Sequence, residues 1–216
     1  MDLQSTRKLC FQNNGKPPIG GRKLNSLYSS ILPKSTSPLC CSIYLLTQTL
    51  LELNLKVPSD AWKQIPSPDN LNSASSLPDS ILLHPINPIE ATTSNPVSEK
   101  IPPIYRPIFL KDLDRSGFPG WKFAWEEPWD ARWNQLLCKF ILKHWRYAHK
   151  TGALQGFHLD PNETSDKIIC TGILHRWFLG RQEGLRLGRF LPKRRGEKKQ
   201  SEKKSKLQLQ VRNQSK

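Results

Sequence analysis

Ten of the chain's 18 prolines fall between Pro58 and Pro107. Proline locks φ at about −65° and donates no backbone hydrogen bond, so a stretch this rich in it makes neither long helices nor central strands. Residues 60–110 are therefore expected to be a Pro-rich linker. Six of the seven tryptophans lie beyond it, between Trp121 and Trp177. That aromatic weight places the expected core in a Trp-rich helical module at residues 111–188.

Charge is spread as unevenly as proline. The net +15 resolves into +5 over residues 1–59 (7 Lys/Arg against 2 Asp/Glu), −2 over 60–110 (3 against 5), +3 over 111–188 (12 against 9) and +9 over 189–216 (11 against 2). This is a nearly balanced module with a basic tail, and the tail's natural partners are polyanions. It carries Lys193, Arg194, Arg195, Lys198, Lys199, Lys203 and Lys204, while Pro192 and Gly196 oppose a helix at its start. A disordered arm is expected, with the composition of a nuclear-import signal or a nucleic-acid tether.

The N-terminal segment, residues 1–59, is basic and Ser-rich. The chain opens without an apolar stretch behind a basic start, so no secretory signal is expected. The segment's low acid content resembles an organellar transit sequence, which leaves organellar import beside a nuclear or cytoplasmic location. Five cysteines without framework spacing are expected as free thiols. The most apolar run, residues 39–55, is broken by Thr47, Gln48, Thr49, Glu52 and Asn54, and a spanning helix needs about 20 mostly apolar residues. Instead, Leu39, Ile43, Leu46, Leu50 and Leu53 repeat at helical spacing, which predicts an amphipathic helix docking on this protein or on a partner.

Two further helices are predicted. Pro128 suits a first helical position, Glu126, Glu127 and Asp130 favour a helix start, and Lys143, Arg146 and Lys150 favour its end. The spacing of Trp133, Leu136, Leu137, Phe140, Ile141, Trp145 and Ala148 predicts a helix over 128–150. A second helix is expected from Asp160, with Asp160 and Glu163 as a capping box, Ile169, Ile173 and Trp177 as its stripe, and Gly180 as its end. The short connection makes the two helices antiparallel neighbours. The expected fold class is all-α: a small antiparallel helical module, with an irregular N-terminal half and a basic C-terminal tail.

Trp121, Trp125, Trp129 and Trp133 recur every fourth residue. Pro119 and Pro128 interrupt any continuous helix through them. An aromatic corner closing the core is the expected role, with base stacking and a protein-binding hook as alternatives. Trp129 and Trp133 would share the first turns of the helix.

The stretch "WEEPWDARWNQLL", residues 125–137, is similar to the opening of Myb-like DNA-binding repeats, in which a tryptophan precedes acidic residues and a Leu-containing helix. Nineteen residues separate Trp125 from Trp145, near the interval of such repeats, but 31 separate Trp145 from Trp177, and Pro128 interrupts the motif. The resemblance covers about a tenth of the chain and assigns no functional residue.

Catalytic and metal chemistry find little footing. His144 to His149 and Cys170 to His175 are each five apart, so neither pair shares a helix face, and no Cys-x-x-Cys is present. Phosphate-cradling glycine loops, a nucleophile elbow and the HExxH pattern are all missing from the sequence. No enzyme activity, cofactor or metal is expected. The leading expectation is a nucleic-acid-associated protein that grips phosphates through Arg132, Lys139, Lys143, Arg146 and Lys150, a stripe along the first predicted helix, and through the arm. Arg176, Arg181 and Arg186 extend that potential. The alternative is a protein-interaction module using the Leu39–Leu53 stripe or exposed tryptophans, and a chain without a settled role is the third reading.

Overall fold

The computed structural model describes residues 32–53, 66–89 and 100–188. They form an all-α fold of six helices: α1 (Pro38–Leu50), α2 (Pro68–Ser76), α3 (Tyr105–Arg115), α4 (Arg132–Lys150), α5 (Pro161–Ser165) and α6 (Lys167–Arg186). One 3₁₀ turn, Asp79–Leu83, follows α2, and another, Gln155–Phe157, follows α4. The arm expected at 189–216 lies outside the described residues, as does most of the N-terminal segment.

The Leu-rich helix forms where its spacing predicts. Ser37 caps it by accepting from the Cys40 N–H, and Pro38 occupies the first turn. Leu39, Ile43, Leu46 and Leu50 are all buried, and α1 packs on α3, α4 and α6. The buried hydroxyls on this face return to the helix: Ser42 donates to the Leu39 carbonyl and Thr47 to that of Ile43, which removes the cost of an unpaired buried polar group. Ser42 also accepts from the Trp145 indole at 3.1 Å. The stripe is thus consumed within this fold, which corrects its use as a surface for another chain.

Parts of the stretch read as linker are built into the core. That stretch contains α2, the first 3₁₀ turn and the start of α3, and Ala74, Ile81, Ile101, Tyr105, Ile108 and Phe109 are buried. The prolines fall where helices tolerate them. Pro68 opens α2 behind the Ser67 cap, Pro78 precedes the 3₁₀ turn, and Pro107 sits in the first turn of α3. Proline density marks short elements here. The core therefore begins well before residue 111.

Helix α4 is the centre, touching α1, α2, α3, α6 and the first 3₁₀ turn. It starts at Arg132, four residues later than expected, because residues 128–131 turn instead, with the Ala131 N–H on the Pro128 carbonyl. The buried Asn134 side chain explains this entry. Its Nδ2 donates to the carbonyls of Ala124, Glu127 and Pro128 while its Oδ1 accepts from the Ala124 N–H. One amide thereby satisfies the buried backbone of a loop.

The tryptophan corner is real. Trp125, Trp129 and Trp133 are buried and Trp121 is half-buried. Trp129 precedes α4 rather than sharing its first turns, and it stacks on His175 at 4.6 Å. Trp125 stacks on Phe178 at 5.2 Å, and Trp133 lies 4.6 Å from Phe118. Phe118 reaches that ring because α3 ends in a left-handed Gly117 (φ 68°), with the Phe118 N–H on the Leu113 carbonyl.

The last helix differs from expectation at both ends. Asp160 caps only the five-residue α5, accepting from Asn162. Asp166 caps the long α6 through Ile168 and Ile169. The helix runs past Gly180, since α6 is held by its stripe, with Ile173, Leu174, Trp177 and Phe178 buried, and it stops at Gly188 with φ 61°. Tertiary burial outweighs the roughly 1 kcal/mol that a helical glycine costs.

Candidate nucleic-acid interface

Arg132, Lys139, Lys143, Arg146 and Lys150 do share one face of α4, as their spacing requires. Three of the five are committed within the fold. Arg132 pairs with Asp79 at 2.7 Å and donates to the Leu77 carbonyl. Lys139 pairs with the other oxygen of Asp79. Lys143 reaches Asp112 at 2.6 Å. The first 3₁₀ turn and α3 cover this face, and each brings a carboxylate. Arg146 is half-buried and Lys150 is exposed, and neither has an ion pair among the described residues. The continuous basic stripe expected from sequence is thus interrupted by Asp79 and Asp112, which local spacing on α4 has no means of showing.

The secondary candidates are also engaged. Arg176 is a clip between α6 and α1: its guanidinium donates to the Pro33 carbonyl at 2.9 Å, the Tyr44 hydroxyl at 3.2 Å and the Cys40 sulfur at 3.0 Å. Arg181 lies over the Trp177 ring at 5.3 Å. Arg186 makes two 2.8 Å bonds to Glu183 one turn earlier, on the exposed end of α6. Lys193, Arg194, Arg195, Lys198, Lys199, Lys203 and Lys204 lie outside the described residues.

A cluster missed from sequence sits beneath the stripe. The Asp112 carboxylate takes hydrogen bonds from Lys143 and, at 3.0 Å, from Nε2 of His144, while Phe109 meets the imidazole edge-on at 5.2 Å. Burial pushes the Asp112 carboxyl upward, but the bonds from His144 and Lys143 outweigh it and hold the group below its ordinary value. Burial dominates at His144 and lowers its pKa despite Asp112. His144 is therefore neutral at pH 7, and its bond to a carboxylate puts the proton on Nε2. The pair has the makings of proton-transfer chemistry, yet His144 is fully buried and the Asp112 side chain is 3% exposed. It is a core contact between α3 and α4. Lys143 and His144 are neighbours on α4, but Asp112 comes from α3, so no local motif shows the cluster and only the fold brings the carboxylate to them.

The aromatic corner offers little for base stacking. Only Trp121 retains substantial exposure, and Arg106 and Lys122 lie 4.6 and 4.3 Å from its ring centre. Among the described residues no group of His, Cys, Asp and Glu is arranged to hold a metal ion, and no helix is long and apolar enough to cross a membrane. The four described cysteines, Cys40, Cys41, Cys138 and Cys170, are free thiols. In comparisons with known proteins, the chain matches no protein-family model, no curated protein and no solved structure, so the likeness to Myb-like repeats stays confined to residues 125–137.

Proposed function

We propose that this protein associates with nucleic acid without catalysis, chiefly through residues 189–216, and that the helical body carries that arm. The distribution of charge supports this reading. The described residues hold 15 Lys/Arg against 12 Asp/Glu, a net +3, whereas residues 189–216 hold 11 against 2. Phosphate contacts follow available cations, and each one releases counterions. Arg146 and Lys150 are the α4 cations left to add to the arm. The Lys193–Arg195 cluster also suits nuclear import.

Fluorescence anisotropy with labelled duplex DNA, single-stranded DNA and RNA at several salt concentrations tests this. With Lys193, Arg194, Arg195, Lys198, Lys199, Lys203 and Lys204 all changed to Gln, the slope of log K against log salt should shrink by about 4 to 6 on duplex DNA, given roughly 0.9 per phosphate contact. The Lys139→Gln/Lys143→Gln pair should change it by less than about 1, because those cations already face carboxylates. An unchanged affinity in the seven-fold variant sinks the reading.

A further inference from the structure

Residues 82–89, Leu-Leu-His-Pro-Ile-Asn-Pro-Ile, have a period of three. From His84 onward, past the 3₁₀ turn that ends at Leu83, Pro85 and Pro88 fall on one edge of a three-residue-per-turn helix, Ile86 and Ile89 on the next, and His84 and Asn87 on the third. Two adjacent edges are apolar and one is polar. This is the pattern of a polyproline II ligand, which sets successive apolar dipeptides into neighbouring slots and turns its third edge to water.

The structure displays the segment. Leu83 is 83% exposed, the most exposed large apolar side chain among the described residues. His84, Pro85, Asn87 and Pro88 are exposed, and Ile86 and Ile89 are half-exposed and lie outside the core cluster. The backbone leaves the 3₁₀ turn at His84 with φ −57° and ψ 133°, close to polyproline II values, and residues 85–89 have no regular secondary structure. The segment is held at both ends of its first half: Ile81 is buried, and Arg115 donates to the Pro85 carbonyl at 3.0 Å. A peptide tethered at Pro85, with φ fixed by its two prolines, loses less entropy on binding than a free one. Among the described residues the adjacent prolines Pro102-Pro103 offer no such face, because they lead into α3 through the buried Tyr105, whose hydroxyl is 2.6 Å from Thr151.

We infer that residues 84–89 dock into a partner protein domain with an aromatic-lined groove of the kind that reads polyproline II ligands, with Pro85-Ile86 and Pro88-Ile89 filling successive slots. Leu83 extends the contact at one end. This surface is separate from the proposed nucleic-acid arm and does not depend on it.

The test is a titration of the full chain against an array of purified Src-homology-3 and WW domains, read by surface plasmon resonance. At least one domain should bind with Kd below ~100 µM, and Pro85→Ala/Pro88→Ala should weaken it at least about tenfold by removing two pre-set rings. Circular dichroism and the thermal midpoint should be unchanged, since these residues lie outside the core. Ile86→Asp, which keeps both prolines, should weaken the same domain. The inference is overturned if no domain binds at that concentration, or if the bound domains hold the double variant as tightly as the parent.

Discussion

Asp112 on α3 and His144 on α4 share a 3.0 Å hydrogen bond inside the core, with Lys143 closing the same carboxylate oxygen from the half-buried side. A buried carboxylate is tolerable only when paired and hydrogen-bonded. Breaking such a pair by removing one partner costs more than the pair contributes, because the other is stranded. Asp112→Ala should destabilise the fold by about 3 kcal/mol, read as a lowered urea midpoint. An unchanged midpoint would mean that the pair is solvated.

The same pair sets a pH dependence. His144 has a folded pKa below its ordinary 6.5, so its contribution is complete above about that pH and is lost as pH falls toward the folded value. Asp112 is also depressed, and it adds a second loss at more acid pH, below its ordinary 3.8. The thermal midpoint should drop between pH 7 and pH 5, and less steeply in His144→Gln. Equal slopes would assign the loss to other groups.

Asn134 and the loop before α4 act as one unit. Asn134→Ala removes one acceptor and the donor shared by three carbonyls, leaving the buried Ala124 N–H unsatisfied. Each stranded group costs about 1–3 kcal/mol, so a total near 3 kcal/mol is expected. The tryptophan emission should shift red well before global unfolding, because Trp125, Trp129 and Trp133 flank that loop. A variant with native fluorescence and stability would show that the loop is held by its rings alone.

Two glycines should respond with opposite signs. A Cβ on Gly120 would lie 2.8 Å from the Trp133 ring, and that ring is fixed by its indole bond to the Lys122 carbonyl. Gly120→Ala should cost about 1–3 kcal/mol through overpacking. Gly180 lies within α6, is exposed and has open space around it. Gly180→Ala should add about 1 kcal/mol through helix propensity. Denaturant midpoints of the two variants on either side of the parent would bear this out, and midpoints on the same side would contradict it.

Thiol labelling should follow burial. Burial pushes Cys138 up to about 12 and Cys170 up to about 11, leaving both as unreactive thiols. Iodoacetamide at pH 8 should modify Cys41, which is half-exposed, at least about tenfold faster than Cys138 in the native state. Comparable rates by peptide mapping would mean that α4 opens readily.

What the sequence determined by itself was local and periodic. The stripe of α1, the apolar positions of α4, the exclusion of a helix through the tryptophans and the all-α class follow from side-chain spacing and proline geometry, and each holds without reference to distant residues. The concentration of charge in residues 189–216 is likewise a property of the chain alone. The tertiary structure decided everything that depends on residues far apart. Proline density over 60–110 reads as linker until Ala74, Ile81 and Phe109 are seen packed into the core. Lys139 and Lys143 read as a phosphate-binding stripe until Asp79 and Asp112 arrive from 60 and 31 residues away. Gly180 reads as a stop until burial of Trp177 and Phe178 carries α6 past it. Spacing tells which side chains share a face, but only the fold tells what covers that face. Whether a charge meets water or a carboxylate depends on that cover.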